Sequence, residues 1–563
     1  MTKKTTRRPP TKSELERLQR LYKTDERIAE RMGGGVAPYL VAYWRRKKNI
    51  PKFSAPKFSE KEIFDLWERF GDDYRCGADL GISKAAFYTW RRKYGISQKP
   101  AFLKLEQMEL RFPGKEFETR ETAQYGKLPA ITKLWLSSDR HGAADRNNAV
   151  RISPDLVVID RSFREVVSSF SEEDSQVVFN PSRIALGTSF AQGDFSDGSD
   201  PSGANAGEWA ELQRIRLRVG MAEGSVWESL ILSGSLLPGQ QVICERGCER
   251  FAGAVGSLGI GMDSQKMSGI LRDGYIDIQP PSVTNVILTG KRYTPVFATD
   301  IALYLASMLS HEKLSDVAIE YSGSAFSGMS IIDRQALCAI PALLNCKTAL
   351  VPFDAVTRRR YAVLGDPPYH PVAPDRDAVY DSVCQLNIEQ VIPMVAWKKP
   401  AGKSAKQDSN RPELKRTSDE SCPKLEYLPV EELTQTAARV VFIGGSPGGH
   451  FDELARAAQI IRGKEIAGGV RLFVSPISRD AYLQGLRKGL LRKFVEAGAI
   501  VLNPGLDSTI LGRFGIGPSA TVVTTTIEPD FHLNASSASK YIMSPGAAAA
   551  TALRGMITDP RGY

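Results

Sequence analysis

Histidine and cysteine are scarce in this chain. Five histidines and seven cysteines are spread over 563 residues, so neither a histidine-rich metal tract nor a cysteine-dense motif is present. Cys76, Cys244, Cys248, Cys338, Cys346, Cys384 and Cys422 are scattered, which excludes a disulfide-stapled secreted scaffold and favours a reducing compartment. No run of about 18 apolar residues exists, so no transmembrane helix is expected. The opening MTKKTTRRPPTK lacks the apolar core of a signal peptide, and the expectation is a cytoplasmic protein with no membrane contact. What is present is ordinary globular composition, 42% hydrophobic and 25% charged, over a length that allows three or four domains with sizeable cores.

Charge is distributed unevenly. Residues 1–100 contain 24 Lys+Arg against 12 Asp+Glu, a local balance of +12 in a chain of net +10, so the remaining 463 residues sit at −2. The same hundred residues contain a repeat. Ala42-Tyr-Trp-Arg-Arg-Lys-Lys-Asn-Ile50 recurs as Tyr88-Thr-Trp-Arg-Arg-Lys-Tyr-Gly-Ile96, and Asp25 to Gly34 pairs upstream with Asp72 to Gly81, allowing one inserted residue. In the second copy Glu60 to Phe70 is amphipathic, Tyr74 to Leu80 is short, Gly81-Ile82 turns, and Ser83 caps a helix running to about Tyr94. Such units, over 1–52 and 53–100, resemble the helix-turn-helix domains of repressors and transposases, whose third helix enters the major groove. That makes Arg45, Arg46, Lys47, Lys84, Tyr88, Arg91, Arg92 and Lys93 the candidate nucleic-acid-binding residues, with Ala85, Phe87 and Trp90 turned inward. DNA is the expected partner and RNA a variant of it. A solvated basic arm, or a small bundle whose basic surface contacts protein, would carry the same composition.

Further along, Val440 to Ile443 is a β-branched run, Gly444 to Gly449 a Gly/Pro/Ser turn, and Phe451 to Ile461 apolar at helical spacing. In a strand, glycine loop and helix of this kind, backbone N–H groups and the positive end of the helix dipole can face an anion. Gly444, Gly445, Ser446, Gly448 and Gly449 are therefore a candidate loop for a small carboxylate or phosphate, although most such loops are only tight connections. Composition places linkers at 101–117 and 398–425 and a surface loop at Asp194 to Gly207.

The segment Val440 to Pro476 resembles the large subunit of 3-isopropylmalate dehydratase and, more widely, the aconitase superfamily, where this strand leads into Ile-Gly-Ser-Cys-Thr-Asn. Ordered likenesses run through Ser153 to Arg161, Leu236 to Leu258, Ala318 to Asp354, Asp377 to Gly402 and the tail from Ile542. The resemblance implies an α/β fold, a three-domain α/β/α body (118–397 and 426–563) behind a small all-α head. In the family three cysteines hold a 4Fe-4S cluster; here Ser446, Leu506 and Thr509 stand at those places. Thiolates are soft anionic donors, whereas Leu cannot ligate and Ser and Thr are poor substitutes, so no cofactor is expected.

The family's acid–base positions differ too. Cys-Gly-Asp-Ser-His-Thr is replaced by Cys244 to Glu249, the His-Glu after the first strand by Ser162 to Glu165, and the substrate-binding Ser-Asn-Arg-Asn-Phe by Thr526 to Phe531. No catalytic residue is therefore expected in the usual form. Cys248, His450 and His532 form a candidate zinc set by fold analogy, without local metal spacing. The chain stops after the family's third domain, which implies a small-subunit-like partner for the fourth or an open cleft. The expected function is a cluster-free, inactive homologue that binds nucleic acid through its head. The alternatives are a hydro-lyase or isomerase with altered chemistry, and a scaffold or assembly subunit.

Overall fold

The computed structural model describes residues 9–22, 24–33, 35–51, 58–70, 73–80, 82–96, 127–137, 149–172, 177–187, 206–220, 223–365, 369–398, 425–516, 520–527 and 539–563. Two compact units emerge, 1–120 and 121–563.

The first unit is two copies of one three-helix design. Helices α1 (Lys12–Tyr22), α2 (Asp25–Met32) and α3 (Pro38–Lys47) form the first copy, and α4 (Glu60–Phe70), α5 (Asp73–Asp79) and α6 (Lys84–Lys93) the second. Both copies begin with the same reciprocal cap. Thr11 N–H donates to Glu14 and Glu14 N–H to Thr11 Oγ1, and Ser59 and Glu62 repeat this at matching distances of 2.8 and 3.3 Å. Leu15, Ile28, Ala29, Val41 and Ile50 fill the first core; Ile63, Trp67, Cys76 and Phe87 fill the second, with Ile96 packed against it. Leu15 matches Ile63 and Ile28 matches Cys76 at a spacing of 48 residues, and Val41 matches Phe87 and Ile50 matches Ile96 at 46, while Trp67 falls opposite Gln19. The expected pairing of Asp25 with Asp72 therefore shifts by one, to Asp73, and the insertion is two residues, in the glycine turn after Met32. The second copy turns tightly: a Cβ on Gly77 would lie 2.9 Å from the Ile82 carbonyl.

The second unit is built on three parallel or mostly parallel sheets, the expected α/β class. A five-stranded sheet has Leu156–Ile159 at its centre, with Ile184–Gly187 and Leu217–Val219 on one side and Gln241–Glu245 and Leu258–Met262 on the other. A four-stranded parallel sheet follows, in the order 348–350, 317–322, 282–289 and 382–387. In the seven-stranded sheet the interior strand Val440–Gly444 is flanked in parallel by Arg471–Ser475 and by the central strand Thr521–Thr524. Central strands read as near-continuous apolar runs (LVVI, QVICE, VVFIG) and are buried along their length, as strands covered on both faces must be.

Met394–Lys398 pairs antiparallel with Leu425–Pro429, Lys398 opposite Leu425, and also with Ser539–Met543. This strand therefore belongs to the seven-stranded sheet, and the third domain begins before 398 rather than at 426 as expected. The linker at 101–117 lies outside the described residues, as do 399–424 of the connector and most of the Asp194 to Gly207 loop. The loop's last two positions, Ala206 and Gly207, already open the helix Ala206–Leu212.

Candidate functional site

In an open parallel sheet the crevice lies at the carboxyl ends of strands, where successive connections leave to opposite sides. In the seven-stranded sheet that point falls between Val440–Gly444 and Thr521–Thr524, beside the glycine loop. The loop is buried and tightly packed. Gly445 and Gly448 hold φ of 69° and 118°, and a Cβ on Gly448 would lie 2.0 Å from Thr525 Oγ1. The hydroxyls of Thr525 and Thr526 both donate to the Gly444 carbonyl at 3.0 Å.

Several of the loop's donors are engaged within the protein. Gly448 N–H (2.8 Å) and His450 N–H (3.4 Å) both point at Glu453 Oε2, in the first turn of the helix Phe451–Ile461. Part of the loop expected to face an external carboxylate or phosphate thus faces the protein's own carboxylate. The helix dipole and capping geometry that favour an anion are satisfied within the same turn.

From the loop a buried polar chain crosses all three domains. Ser446 Oγ donates to Gln335 Oε1 at 3.2 Å, and Gln335 Nε2 donates to Glu228 Oε1 at 2.8 Å. Glu228 also meets His450 Nε2 at 2.9 Å, and His450 Nδ1 meets Glu453 at 3.0 Å. Glu228 lies on Val226–Ser233, beside the five-stranded sheet, and Gln335 on Ile331–Leu337, beside the four-stranded one. Burial opposes charge on His450, but the facing carboxylates of Glu228 and Glu453 outweigh it and push its pKa up to about 10. Burial would raise Glu228, yet His450, Gln335 and Arg360 together hold it below the usual value. The result is an imidazolium clamped between two carboxylates.

The switch point of the five-stranded sheet is also rich in carboxylates. Glu245 accepts from the N–H groups of Asp160, Arg161 and Ser162 at 2.8–2.9 Å and from the Ser162 hydroxyl at 2.8 Å. Asp160 is buried beside it, and burial followed by the Glu245 charge pushes its pKa up to about 7. Glu249 also rises to about 7, chiefly through burial. Arg161 pairs with Asp507 at 3.4 Å, and Arg250 donates to the Ile527 carbonyl. Both join this sheet to loops of the third domain.

The stretch 213–555 matches the model of the aconitase family (aconitate hydratase). The chain belongs to the aconitase family. Its relatives include 3-isopropylmalate dehydratase large subunit 1 of Methanopyrus kandleri, 29% identical over 63% of this chain and 80% of that one. A probable methanogen homoaconitase large subunit of Methanosarcina mazei is 27% identical over 70% of this chain and 95% of that one. Among solved structures, Thermococcus kodakaraensis aconitase X in its holo-form covers 73% of this chain and 92% of its own at 11% identity, with a TM-score of 0.38.

Placed on this aconitase-family body, the three positions where the family resemblance puts cluster thiolates hold no thiol. Ser446 is buried and spends its hydroxyl on Gln335, Leu506 packs against the apolar group around Phe442 and Phe473, and the Thr509 hydroxyl donates to Asp507. Two hydroxyls and an aliphatic chain do not fit a thiolate-bound cluster. The candidate zinc set changes as well. Both ring nitrogens of His450 face carboxylates, burial raises the Cys248 thiol well above its usual range, and His532 lies outside the described residues. Among the described residues no group of three or more His, Cys, Asp or Glu is arranged to hold a metal. Residues 528–531 of the altered substrate loop also lie outside the described residues.

In the head, Arg46, Lys47, Lys84, Tyr88, Arg92 and Lys93 are exposed as expected. Arg45 and Arg91 are not part of that face. Arg45 Nε and Nη2 meet the two oxygens of Asp25 at 3.2 and 3.1 Å, and its Nη1 donates to the Ile50 carbonyl. Arg91 repeats this with Asp73 and Ile96 and stacks 4.0 Å over Trp67. Each bolts the third helix to the start of the second and leaves no fork for phosphate. Ala85, expected inside, is exposed, and Trp90 is half-buried.

Sequence reasoning missed Glu228, Gln335, Asp160 and Asp507. One signal was available: Glu228 is the lone charge in VWESLILS, and a carboxylate in a buried helix requires a partner.

Proposed function

We propose that the protein binds DNA through the exposed faces of α3 and α6, and that its aconitase-family body works without a 4Fe-4S cluster and without the family's hydro-lyase chemistry. The observation that carries the first part is the duplicated, outward-facing cation pair Arg46-Lys47 and Arg92-Lys93 at the end of each third helix. Phosphate attraction supplies affinity to such a surface. The second part is supported by the donor set: Ser446, Leu506 and Thr509 offer no thiolate, and the polar chain from Ser446 to His450 occupies the glycine-loop junction. A small carboxylate that regulates the head would bind elsewhere in the body's cleft. The names of the relatives as large subunits support a small-subunit-like partner over it.

The test is duplex DNA binding by the full chain across a salt series, with iron measured on the same sample. Substituting Arg46, Lys47, Arg92 and Lys93 together by Ala should lower the slope of log K against log salt by about three to four, with only the small stability cost of the Lys47–Tyr43 and Lys93–Trp90 contacts. Stoichiometric iron with hydratase activity, or wild-type binding that ignores salt, would overturn the proposal.

A second reading, a hydro-lyase with altered chemistry, draws support from Asp160 and Glu249, two buried carboxyls poised at about 7 where general acid–base groups work best. Turnover of a hydroxy acid that is abolished by Asp160→Asn would favour it.

A further inference from the structure

The two copies in the head share most of what holds the fold and diverge on the outward face of the third helix. The reciprocal caps of the first helices and the Arg–Asp bolts match, as do four core pairs, while Trp67 falls opposite Gln19 and the Ser83 cap opposite Ala37, where Pro38 opens the helix instead. On the third helices the exposed pairs Arg46-Lys47 and Arg92-Lys93 also match, at the 46-residue spacing. In the preceding two turns the likeness ends. The first copy places Pro38, Tyr39, Ala42 and Tyr43 where the second places Lys84, Ala85, Tyr88 and Thr89.

The divergent side chains do not serve the core. Tyr39 and Tyr43 are 72% and 56% exposed and Tyr88 is 46% exposed, and none belongs to the buried cluster of its copy. Tyr39 and Tyr43 lie one turn apart on one face, continued by Lys47, whose ammonium is 6.0 Å from the Tyr43 ring. In a helix-turn-helix the first turns of the third helix meet base edges. Phosphate contacts position the protein but carry no sequence information. A shared cationic end with unlike leading turns is the pattern of common anchoring and separate reading.

Resting on the DNA-binding reading above, we infer that the head recognises an asymmetric DNA site made of two unlike base elements, one read by α3 through Tyr39 and Tyr43 and the other by α6 through Lys84, Tyr88 and Thr89. The chemistry assigns a preference to each. Lys84 is a donor suited to the O6 and N7 acceptors of guanine, and the Thr89 methyl suits a neighbouring thymine methyl. The two tyrosine rings of α3 offer apolar faces to thymine methyls and no cation, so the first element is A·T-rich.

The experiment is selection of bound sequences from random duplex DNA by the full-length protein, followed by affinity across a salt series. Two unlike elements are expected, one containing guanine. Tyr39→Ala with Tyr43→Thr gives α3 the residues that α6 carries at these places. This variant should lose about tenfold in discrimination at the A·T-rich element alone and keep the wild-type salt slope, because no cation is removed. Lys84→Ala should relax the other element. A palindromic or single-element site, or a double variant with unchanged preference, would overturn the inference while salt-sensitive binding stood. A wild-type protein with no salt-sensitive binding would remove the DNA-binding reading, and the inference with it.

Discussion

His450 holds the proton on which the junction of the three domains depends. Its ring sits between Glu228 and Glu453 at 2.9 and 3.0 Å, and its pKa is about 10 in the fold, against about 6.5 in an unfolded chain. Between these values the folded state binds the extra proton, so stability is fully present below about 6.5 and falls as pH rises toward about 10. Asp160, Glu249 and Asp300, raised to about 7, also make stability fall with rising pH, but their share fades out by about pH 8. Buried thiols add theirs only above about pH 8.5. The melting temperature of the body should therefore decline between pH 7 and 8.5, and His450→Gln should flatten that decline while lowering the melting temperature at pH 7. A wild-type profile flat over this window would mean that the ring is neutral. Little of this was legible in the sequence, because the carboxylate that pairs with Nε2 lies 222 residues away.

At the scale of elements the sequence was more informative, and its failures have a common cause. The helix expected over Glu60 to Phe70 and the Ser83 cap are both present, as are the strand, glycine loop and helix from Val440 to Ile461. These follow from periodicity and capping, which are local. Arg91 and Arg92 are chemically identical neighbours, so nothing local says that the first turns inward to Asp73 and the second outward. Likewise the glycine loop has the composition of an anion site, and only its packing shows that Glu453 and Thr525 take up the N–H groups of Gly444, Gly448 and His450. The bolt is tested from its acidic end. Asp73→Asn should cost the second copy about 1–2 kcal/mol, between the values for an exposed and a fully buried pair, and should weaken DNA binding at a temperature where that copy melts. Asp73 carries no positive charge, so a loss there cannot be a lost phosphate contact. A thermally unchanged Asp73→Asn protein would return Arg91 to the list of direct contacts.

At the scale of the molecule, two kinds of core make up the chain. Each copy in the head closes on four or five buried apolar side chains, near the lower limit for a self-standing core. The body carries several larger clusters under its three sheets. Stability scales with area buried, and compact units with separate cores unfold separately. Calorimetry should therefore show a small transition for residues 1–100 at lower temperature and a larger one for the body. Asp73→Asn should move only the first, and His450→Gln only the second. Ligands sort by the same logic, since whatever binds a folded unit stabilises that unit by mass action. Duplex DNA at concentrations well above its dissociation constant should raise the first transition, and a di- or tricarboxylate seated in the body should raise the second. If the carboxylate regulates the head, its presence must also change DNA affinity by a factor equal to the one by which DNA changes carboxylate affinity. Equal factors in the two titrations would show the body to be a sensor, whereas carboxylate binding with no effect on DNA affinity would leave the two units as independent binders on one chain.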